Sequence, residues 1–498
     1  MKKAPKICLT RTLALLSLLL LVCASCLTAI GCNVKGTNPK PSDNTTAVQG
    51  QTTSGEPEVV YPEYDKDFRI MHRSDRPYEF KVRDTEGADP VNDAVYSRNQ
   101  LIENRYKITI KNLTYDGNWD NKDKPGAFKD TLKVWMDANE DAVDLIAGYH
   151  RVMLPTVENG WYVDWLTVPN IDLRADEWQN GINDVLTINN KNYTITGDIT
   201  LTFWKAMSAM VFHDGLLRDY CDENIYDVVS SGKWTMEYMM NIAQKVPSTG
   251  EGTDRIYGFA SNNSIALDAF ASGFGMQTVT KDENGNFRFA LETDRNTMLL
   301  DKLVKLYQAE YAYKDQYKEL DHANDPSHAL FPTGHVLFNA MQFEMIERSN
   351  IRDMKENYGV LPYPKFDSNQ ENYHTLVADG VSLMFVPKTE KDLEMVGTVT
   401  AALAEASREL VNPKYIEVVL QGSVSRDAQS AAMIDLIRNN VFVDPGYILN
   451  QTAGLALRDL TMKNVFNFGG PKTLKVYWET YGAGAQTKLN ELLDFYNK

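Results

Sequence analysis

The pattern of apolar and polar positions changes period several times along the chain, beginning near residue 64. Short runs rich in β-branched and aromatic residues predict strands, and longer runs with apolar residues every three to four positions predict helices. The first elements are strands at 67–72, 107–113 and 143–148, with helices at 91–102 and 128–139 between them. Asp89 followed by Pro90 predicts the cap and the first position of the first helix. This alternation predicts a parallel, doubly wound α/β sheet. Ligands of such sheets lie beyond the carboxyl ends of strands, so the loop Tyr149-His150-Arg151 is a candidate site.

A second change of pattern lies between residues 331 and 389. It contains a strand-like run at 335–339, a helical pattern, a strand at 358–363 and an apolar strand at 381–386. Pro362 and Pro364 cannot continue a helix, because each fixes φ and lacks a backbone donor. The chain therefore leaves one packed unit and joins another within this stretch.

The remaining pattern adds a strand at 257–260 and helices at 264–270, 297–308, 391–410 and 486–496. The runs around Asn284-Gly285-Asn286 predict a hairpin with a two-residue turn. A calcium loop at the same place is the alternative, but its glycine falls at the wrong position and no final glutamate follows.

Residues 1–32 have the pattern of a secretory signal peptide. An uncharged, Leu-rich run at 12–34 follows four basic residues, Lys2, Lys3, Lys6 and Arg11. The run is just long enough to remain as a transmembrane anchor, which is the alternative. Cys32 after Ala29-Ile30-Gly31 resembles a bacterial lipobox, with Cys26 as a second candidate. We therefore expect a lipoprotein diacylated at Cys32 and held on the extracellular face of the cell membrane.

Composition and charge narrow the possible partners. Residues 33–60 contain few apolar side chains, which predicts a disordered tether. The formal net charge of the whole chain is −16, which argues against nucleic acid and against adsorption to anionic lipid. Removal of the signal peptide would leave Cys221 as the one cysteine besides Cys32. That count excludes an internal disulfide and a cysteine-based metal site.

Motifs of catalysis are missing from the sequence. It contains no G-x-S-x-G, no P-loop and no H-E-x-x-H. Its seven histidines are scattered, and its 67 carboxylates are too many for one pair to indicate glycoside hydrolysis. We therefore expect no enzyme, with no catalytic residue, no metal and no cofactor.

Several segments resemble the extracellular solute-binding proteins of bacterial ABC importers, in the cluster that mostly carries carbohydrates. They are NDAVYSRNQLIENRY at 92–106, MVFHDGLLRDY at 210–220, GKWTMEYMMNIAQKV at 232–246 and SRDAQSAAMIDLIRNNVFVDPG at 425–446. The second departs from the family at His213, where asparagine is usual. The resemblance implies a two-lobe α/β periplasmic-binding-protein-like fold of type II, with doubly wound sheets joined by crossover hinge strands. It implies lobe 1 at 61–198 and 352–402, and lobe 2 at 199–351 and 403–498.

Aromatic residues near predicted loops are the best candidates for a sugar site, because a sugar ring has an apolar face and a rim of hydroxyls. Tyr149, His150 and Arg151 combine an aromatic face with polar groups in one loop. The resemblance and the predicted loops add Trp204, Lys205, Phe274, Phe343 and Asp379. Core packing is the alternative for each of them, and it is favoured for Trp161, Trp165 and Trp178.

The function implied by the resemblance is that of a lipid-anchored binding component of an ABC importer. It would capture a carbohydrate, an oligosaccharide, between its lobes and deliver it to the permease subunits. We expect a monomer that contacts the membrane through its lipid and binds no nucleic acid. Two alternatives remain: a binding protein for a peptide or polyol, and a surface enzyme acting on glycans.

Overall fold

The structure of the 498-residue chain is a computed structural model. It describes residues 60–80, 89–118, 126–250, 254–261, 265–282, 285–313, 329–352, 354–420, 428–453, 460–461 and 473–498. The predicted signal peptide, Cys26, Cys32 and nearly all of the predicted tether lie outside these residues. Within them, no helix is long and apolar enough to cross a membrane.

The first sheet has four strands, which are β1 (Lys66–Arg73), β2 (Ile108–Tyr115), β3 (Leu145–Tyr149) and β10 (Ser382–Phe385). Their order in the sheet is β10-β3-β1-β2. β1 is parallel to both β2 and β3, whereas β10 is antiparallel to β3. The predicted strand–helix alternation is therefore confirmed, with one antiparallel strand added at an edge.

The helix Pro90–Tyr106 shows how local sequence builds this lobe. The carboxylate of Asp89 accepts hydrogen bonds from the backbone N–H groups of Val91 and Asn92, at 3.0 and 3.2 Å. Pro90 occupies the first helical position, where its missing N–H has no partner to lose. These contacts confirm the predicted start of the helix, which packs its buried face beside the sheet.

The second sheet is formed by β4 (Ser208–His213), β5 (Tyr257–Ser261), β8 (Val336–Gln342) and β9 (Tyr358–Leu361). Their order in the sheet is β5-β8-β4-β9. β5 is parallel to β8, and β4 is antiparallel to both β8 and β9. A separate hairpin pairs β6 (Val279–Lys281) with β7 (Phe287–Phe289).

Two elements of the structure lie across predicted lobe boundaries, which stay predictions. β9 lies beyond the predicted boundary at residue 352 and pairs with β4 of the second sheet. The helix Leu393–Ala406 continues across the predicted boundary at 402–403. Its residue Leu403 is fully buried in the same cluster as Ile70 of β1. Sequence pattern alone reveals neither this strand pairing nor the full extent of the helix.

Among the described residues, backbone hydrogen bonds join three stretches of chain, at 201–207, 375–381 and 440–442, which we call the first, second and third crossings. The N–H of Ala378 donates to the carbonyl of Ala206 at 3.0 Å, which pairs the second stretch with the first. The N–H of Phe442 donates to the carbonyl of Thr375 at 2.9 Å, which adds the third. These are the crossover strands expected at a hinge between two lobes.

The remaining helices surround the two sheets. They are Gly126–Ala138, His150–Met153, Asn180–Leu186, Leu201–Lys205, Asp214–Tyr220, Ile225–Ser230, Met236–Ala243, Ile265–Gly273, Asp294–Gln308, Phe343–Ile346, Ser349–Arg352, a π-helix at Ser407–Val411, Asn412–Leu420, Ala428–Asn439, Pro445–Ile448, Asn450–Ala453 and Leu474–Tyr496. Short 3-10 helices lie at Pro77–Glu79, Leu154–Asn159, Trp165–Thr167 and Phe331–Thr333.

Two local predictions need correction. The hairpin is present, but Lys281 pairs with Phe287, so its connection is longer than two residues. Gly285 adopts φ +80°, a left-handed conformation that glycine tolerates. The final helix begins at Leu474 instead of residue 486, because Thr473 caps it and the Trp478 ring packs where a side chain at Gly482 would lie.

Candidate functional site

Polar and aromatic side chains collect where the strands of the first sheet end. β1 ends at Arg73, and Asp75 and Arg76 follow in the next turn. β3 ends at Tyr149, which pairs with Ser382 of β10. The carboxyl ends of parallel strands meet at one edge of a sheet, so these residues form one surface. We call it the cleft surface.

Tyr149 is the aromatic member of the cleft surface. It is partly exposed, and its backbone is extended at the end of β3, just before the short helix His150–Met153. The guanidinium carbon of Arg73 lies 4.3 Å from the centroid of its ring. The Arg73 cation therefore lies against one side of the Tyr149 ring, and part of the tyrosine remains exposed to solvent.

Arg151 and Asp379 bring a charged pair to the same surface. The Nε of Arg151 lies 4.0 Å from Oδ2 of Asp379, and both side chains are largely buried. The backbone N–H of Asp379 donates to the hydroxyl of Tyr447 at 3.2 Å. Asp379 belongs to the second crossing, so the pair joins the first lobe to the hinge.

His150 points away from the exposed part of the surface. Its ring is 4% exposed, and Nε2 lies 2.8 Å from the carbonyl of Ile448. Since a carbonyl only accepts, Nε2 carries the proton. Burial lowers the pKa of His150, although nearby Asp379 and the bond to Ile448 act in the opposite direction. The neutral ring therefore links two segments, and the structure does not place it among accessible sugar-binding groups.

Three of the predicted aromatic site residues lie in the interior. Trp204, Phe274 and Phe343 are each at most 2% exposed. Phe274 packs between other rings, with centroids of Phe270 and Phe366 at 5.7 and 5.6 Å. Core packing is therefore the interpretation that the structure favours for all three, because a ring without exposed area cannot stack on a ligand.

Lys205 is held within the hinge. Its ammonium forms an ion pair with Glu347 and lies 4.7 Å and 4.9 Å from the ring centroids of Tyr78 and Tyr415. Burial raises the pKa of Glu347, and the attraction to Lys205 opposes that rise. The charge of Lys205 is thus compensated inside the protein, and it is 8% exposed.

Arg76 and Glu344 form an ion pair that sequence reasoning missed. Arg76 follows β1 of the first sheet, and Glu344 lies in the helix that follows β8 of the second sheet. Nη1 of Arg76 donates to Oε1 of Glu344 at 2.7 Å. The rule that selected Tyr149 after β3 applies equally to the end of β1, so Arg73, Asp75 and Arg76 had a recognisable signal.

One group of carboxylates among the described residues has the spacing of a metal site: Asp141, Asp144 and Glu390. Arg69 already fills this group, because its Nη2 lies 2.6 Å from Asp141 Oδ1 and its Nε 3.0 Å from Asp144 Oδ1. Burial, together with Asp144, raises the pKa of Glu390 to about 7. The guanidinium supplies the positive charge that a metal ion would bring.

Comparison with known proteins supports the fold. Among solved structures, 576 chains match. One is an ABC substrate-binding protein from Listeria monocytogenes in complex with cycloalternan, with 13% identity and a TM-score of 0.54. The match covers 86% of this chain and 99% of the other. No protein-family model and no curated protein matches the sequence. At this identity the likeness concerns the fold, and it confirms the predicted two-lobe periplasmic-binding-protein-like architecture.

Proposed function

We propose that this protein is the solute-binding component of an ABC importer and that it captures a carbohydrate, an oligosaccharide, between its lobes. The observation that carries the proposal is the placement of partly exposed Tyr149 at the end of β3, with its ring against Arg73 and with Arg151, the partner of Asp379, two residues further along the chain. The similar Listeria protein, which was solved with cycloalternan, supports the same ligand class.

The chemistry of a sugar matches this surface. A pyranose ring stacks its apolar face on an aromatic side chain, and its hydroxyls both donate and accept hydrogen bonds. Tyr149 supplies the aromatic face. The side chain of Arg151 is 19% exposed and supplies donors, and buried Asp379, 4.0 Å away, holds its guanidinium in place.

Charge balance favours an uncharged ligand. The three arginines of the cleft surface each lie beside a carboxylate: Arg73 beside Asp75, Arg76 beside Glu344, and Arg151 beside Asp379. An anionic ligand would have to displace one of these carboxylates. Hydroxyl groups can bridge the paired charges without separating them.

Binding would close the lobes over the ligand and present it to the permease. The crossovers at Ala206–Ala378 and Thr375–Phe442 provide a hinge for that motion. Closure of this kind shifts a population that the free protein already samples. No covalent step is required, so the proposal involves no enzyme and no cofactor.

Lipid anchoring belongs to the same proposal. Diacylation of Cys32 would hold the protein on the extracellular face of the membrane beside the permease. Metabolic labelling with a fatty-acid analogue tests it: Cys32→Ala should abolish labelling and Cys26→Ala should preserve it. The reverse pattern would assign the lipid to Cys26. A wild type that is not labelled would reject the lipid anchor.

A thermal-shift screen of the chain from Asn33 onward tests the ligand class. The panel contains glucose, maltotetraose, cellotetraose and cycloalternan, with a tetrapeptide and sorbitol as non-sugar arms. A ligand at about one hundred times its Kd stabilises the folded state by about 2.7 kcal/mol, which raises the melting temperature. We expect a rise with an oligosaccharide that Tyr149→Ala removes.

The matched control is Tyr96→Ala, which removes an exposed tyrosine from the helix Pro90–Tyr106. It should keep the full ligand-induced rise. A rise with the tetrapeptide or sorbitol alone would retain a binding protein and reject the carbohydrate. Breakdown of an oligosaccharide during incubation would favour an enzyme.

A further inference from the structure

Arg73 is a buried cation at the end of β1. Its side chain is 2% exposed. Burying a guanidinium is unfavourable unless its donors are satisfied, so its partners reveal the arrangement that the protein maintains.

The partners of Arg73 come from three separate segments. Nε and Nη2 donate to the two carboxylate oxygens of Asp75, at 3.1 and 2.7 Å. Nη1 donates to the carbonyl of Gly380 at 3.0 Å, on the second crossing. The guanidinium carbon lies over the ring of Tyr149, at 4.3 Å from its centroid.

The two ends of the Arg73 guanidinium therefore make different contacts. The fork toward Asp75 is a paired, directional contact that fixes the plane of the guanidinium. The bond to Gly380 fixes its position relative to the hinge. With plane and position both determined, the guanidinium is a rigid support on which the ring of Tyr149 rests.

We propose that Arg73 is the positioning residue of the ligand site, holding the Tyr149 ring in place before ligand arrives. This assignment rests on the proposed function, in which that ring is the sugar platform. A platform that is already ordered spares the ligand the entropy of ordering it, a difference of about three- to tenfold in affinity.

The identity of the residue matters because lysine cannot replace it. A lysine would keep the charge, but it lacks the planar face and the fork that engages Asp75. Arg73→Lys should therefore free the ring while leaving a cation at the site. The matched control is Arg69→Lys, on the same strand, which contacts Asp141 and Asp144 and not the cleft surface.

Two measurements test the assignment. The first is a crystal structure of ligand-free Arg73→Lys, which needs no ligand. We expect the Tyr149 ring to leave its wild-type position or to occupy several, whereas Arg69→Lys keeps it. A ring unchanged in Arg73→Lys would overturn the assignment, whatever the protein binds.

The second is a double-mutant cycle by titration calorimetry, using whichever panel oligosaccharide gives the largest thermal shift. Arg73→Lys should weaken binding about three- to tenfold in the wild type and cause little further loss in the Tyr149→Ala background. Equal losses in both backgrounds would overturn a role exerted through the ring. If no panel sugar binds the wild type, the proposed function fails and the crystal structure alone decides the role of Arg73.

Discussion

The carboxylate of Glu79 accepts two hydrogen bonds from Thr202, one from its backbone N–H at 3.0 Å and one from its hydroxyl at 2.7 Å. The other oxygen of Glu79 accepts from the hydroxyl of Ser382 at 2.7 Å. Glu79 is 1% exposed, so a single buried carboxylate ties the first crossing to the start of β10. The hinge therefore depends on a polar contact from a short helix outside it.

Replacing Glu79 should destabilise the protein according to how many donors lose their acceptor. Glu79→Ala leaves the donors of Thr202 and Ser382 without an acceptor, and we expect a loss of about 3 kcal/mol in the free energy of unfolding. Glu79→Gln keeps one acceptor oxygen and should lose about 1 kcal/mol. Urea denaturation followed by circular dichroism measures both, and equal stability of the alanine variant and the wild type would contradict the assignment.

The pair between Arg76 and Glu344 should bias the lobes toward closure. Both side chains are about one-quarter exposed, so solvent screens the pair, and we expect it to contribute about 1 kcal/mol. Arg76→Glu and Glu344→Arg should each raise the radius of gyration measured by small-angle X-ray scattering without ligand. The double variant restores an opposite-charge pair and should return the wild-type value. A double variant as open as the singles would exclude the contact.

The buried, neutral His150 predicts a specific pH dependence. Its pKa is lowered by burial from 6.5, so below that pH the unfolded chain binds a proton that the folded protein does not. The contribution to stability is therefore lost as the pH falls from 6.5 toward the lowered folded value. His150→Gln retains a donor for the Ile448 carbonyl without the titration.

Chemical denaturation at about pH 7.5 and about pH 5.5 compares the two proteins. The wild type should lose more unfolding free energy between these values than His150→Gln. His213 and His374 also have lowered pKa values and remain in both proteins, so they cancel in the comparison. Identical losses would show that the folded protein protonates His150 as readily as the unfolded chain does.

Alanine at Phe274 should lower stability and leave binding unchanged, whereas alanine at Tyr149 should weaken binding and leave stability nearly unchanged. Phe274 is fully buried, so Phe274→Ala should cost about 3–5 kcal/mol of unfolding free energy. Where that variant still folds, its ligand affinity should remain near wild type. Tyr149→Ala should do the opposite, with little change in stability and a loss of affinity of about tenfold or more. Equal effects of both variants on affinity would place Phe274 in the site.

Two helical glycines should respond in opposite directions to alanine. A Cβ on Gly397 would overlap the carbonyl oxygen of Pro169, so Gly397→Ala forces the helix from its neighbour and should destabilise the protein. Gly484, in the helix Leu474–Tyr496, has open space, and Gly484→Ala should stabilise by about 0.5–1 kcal/mol. Melting temperatures distinguish these outcomes, and a stabilised Gly397→Ala would contradict the close packing.

The sequence pattern predicted the elements whose formation depends on residues close together in the sequence. The Asp89 cap and the strands β1, β2 and β3 follow from side chains near in sequence. The pairing of β9 with β4 does not, because any extended strand can pair with several edges. The final helix continues through Gly482, where the Trp478 ring packs. The sequence pattern does not reveal this contact, and glycines at 482 and 484 weaken the prediction of a helix.

The site divides in the same way. Tyr149, Arg151 and Asp379 come together because topology brings strand ends and crossings to one edge. Phe274, Phe343 and Trp204 were selected as aromatics near predicted loops, and sequence does not distinguish a ring beneath a loop from one on its surface. Arg73 and Glu344 were missed because their roles depend on partners distant in sequence.

The most direct test of the central claim is titration calorimetry of the wild type, Tyr149→Ala and Tyr96→Ala with the best oligosaccharide of the panel. The account predicts binding at one site, weakened at least about tenfold by Tyr149→Ala and unchanged by Tyr96→Ala. Binding that both variants retain would place the sugar elsewhere on the protein. No heat from any carbohydrate, with the wild type folded, would contradict the proposed function itself.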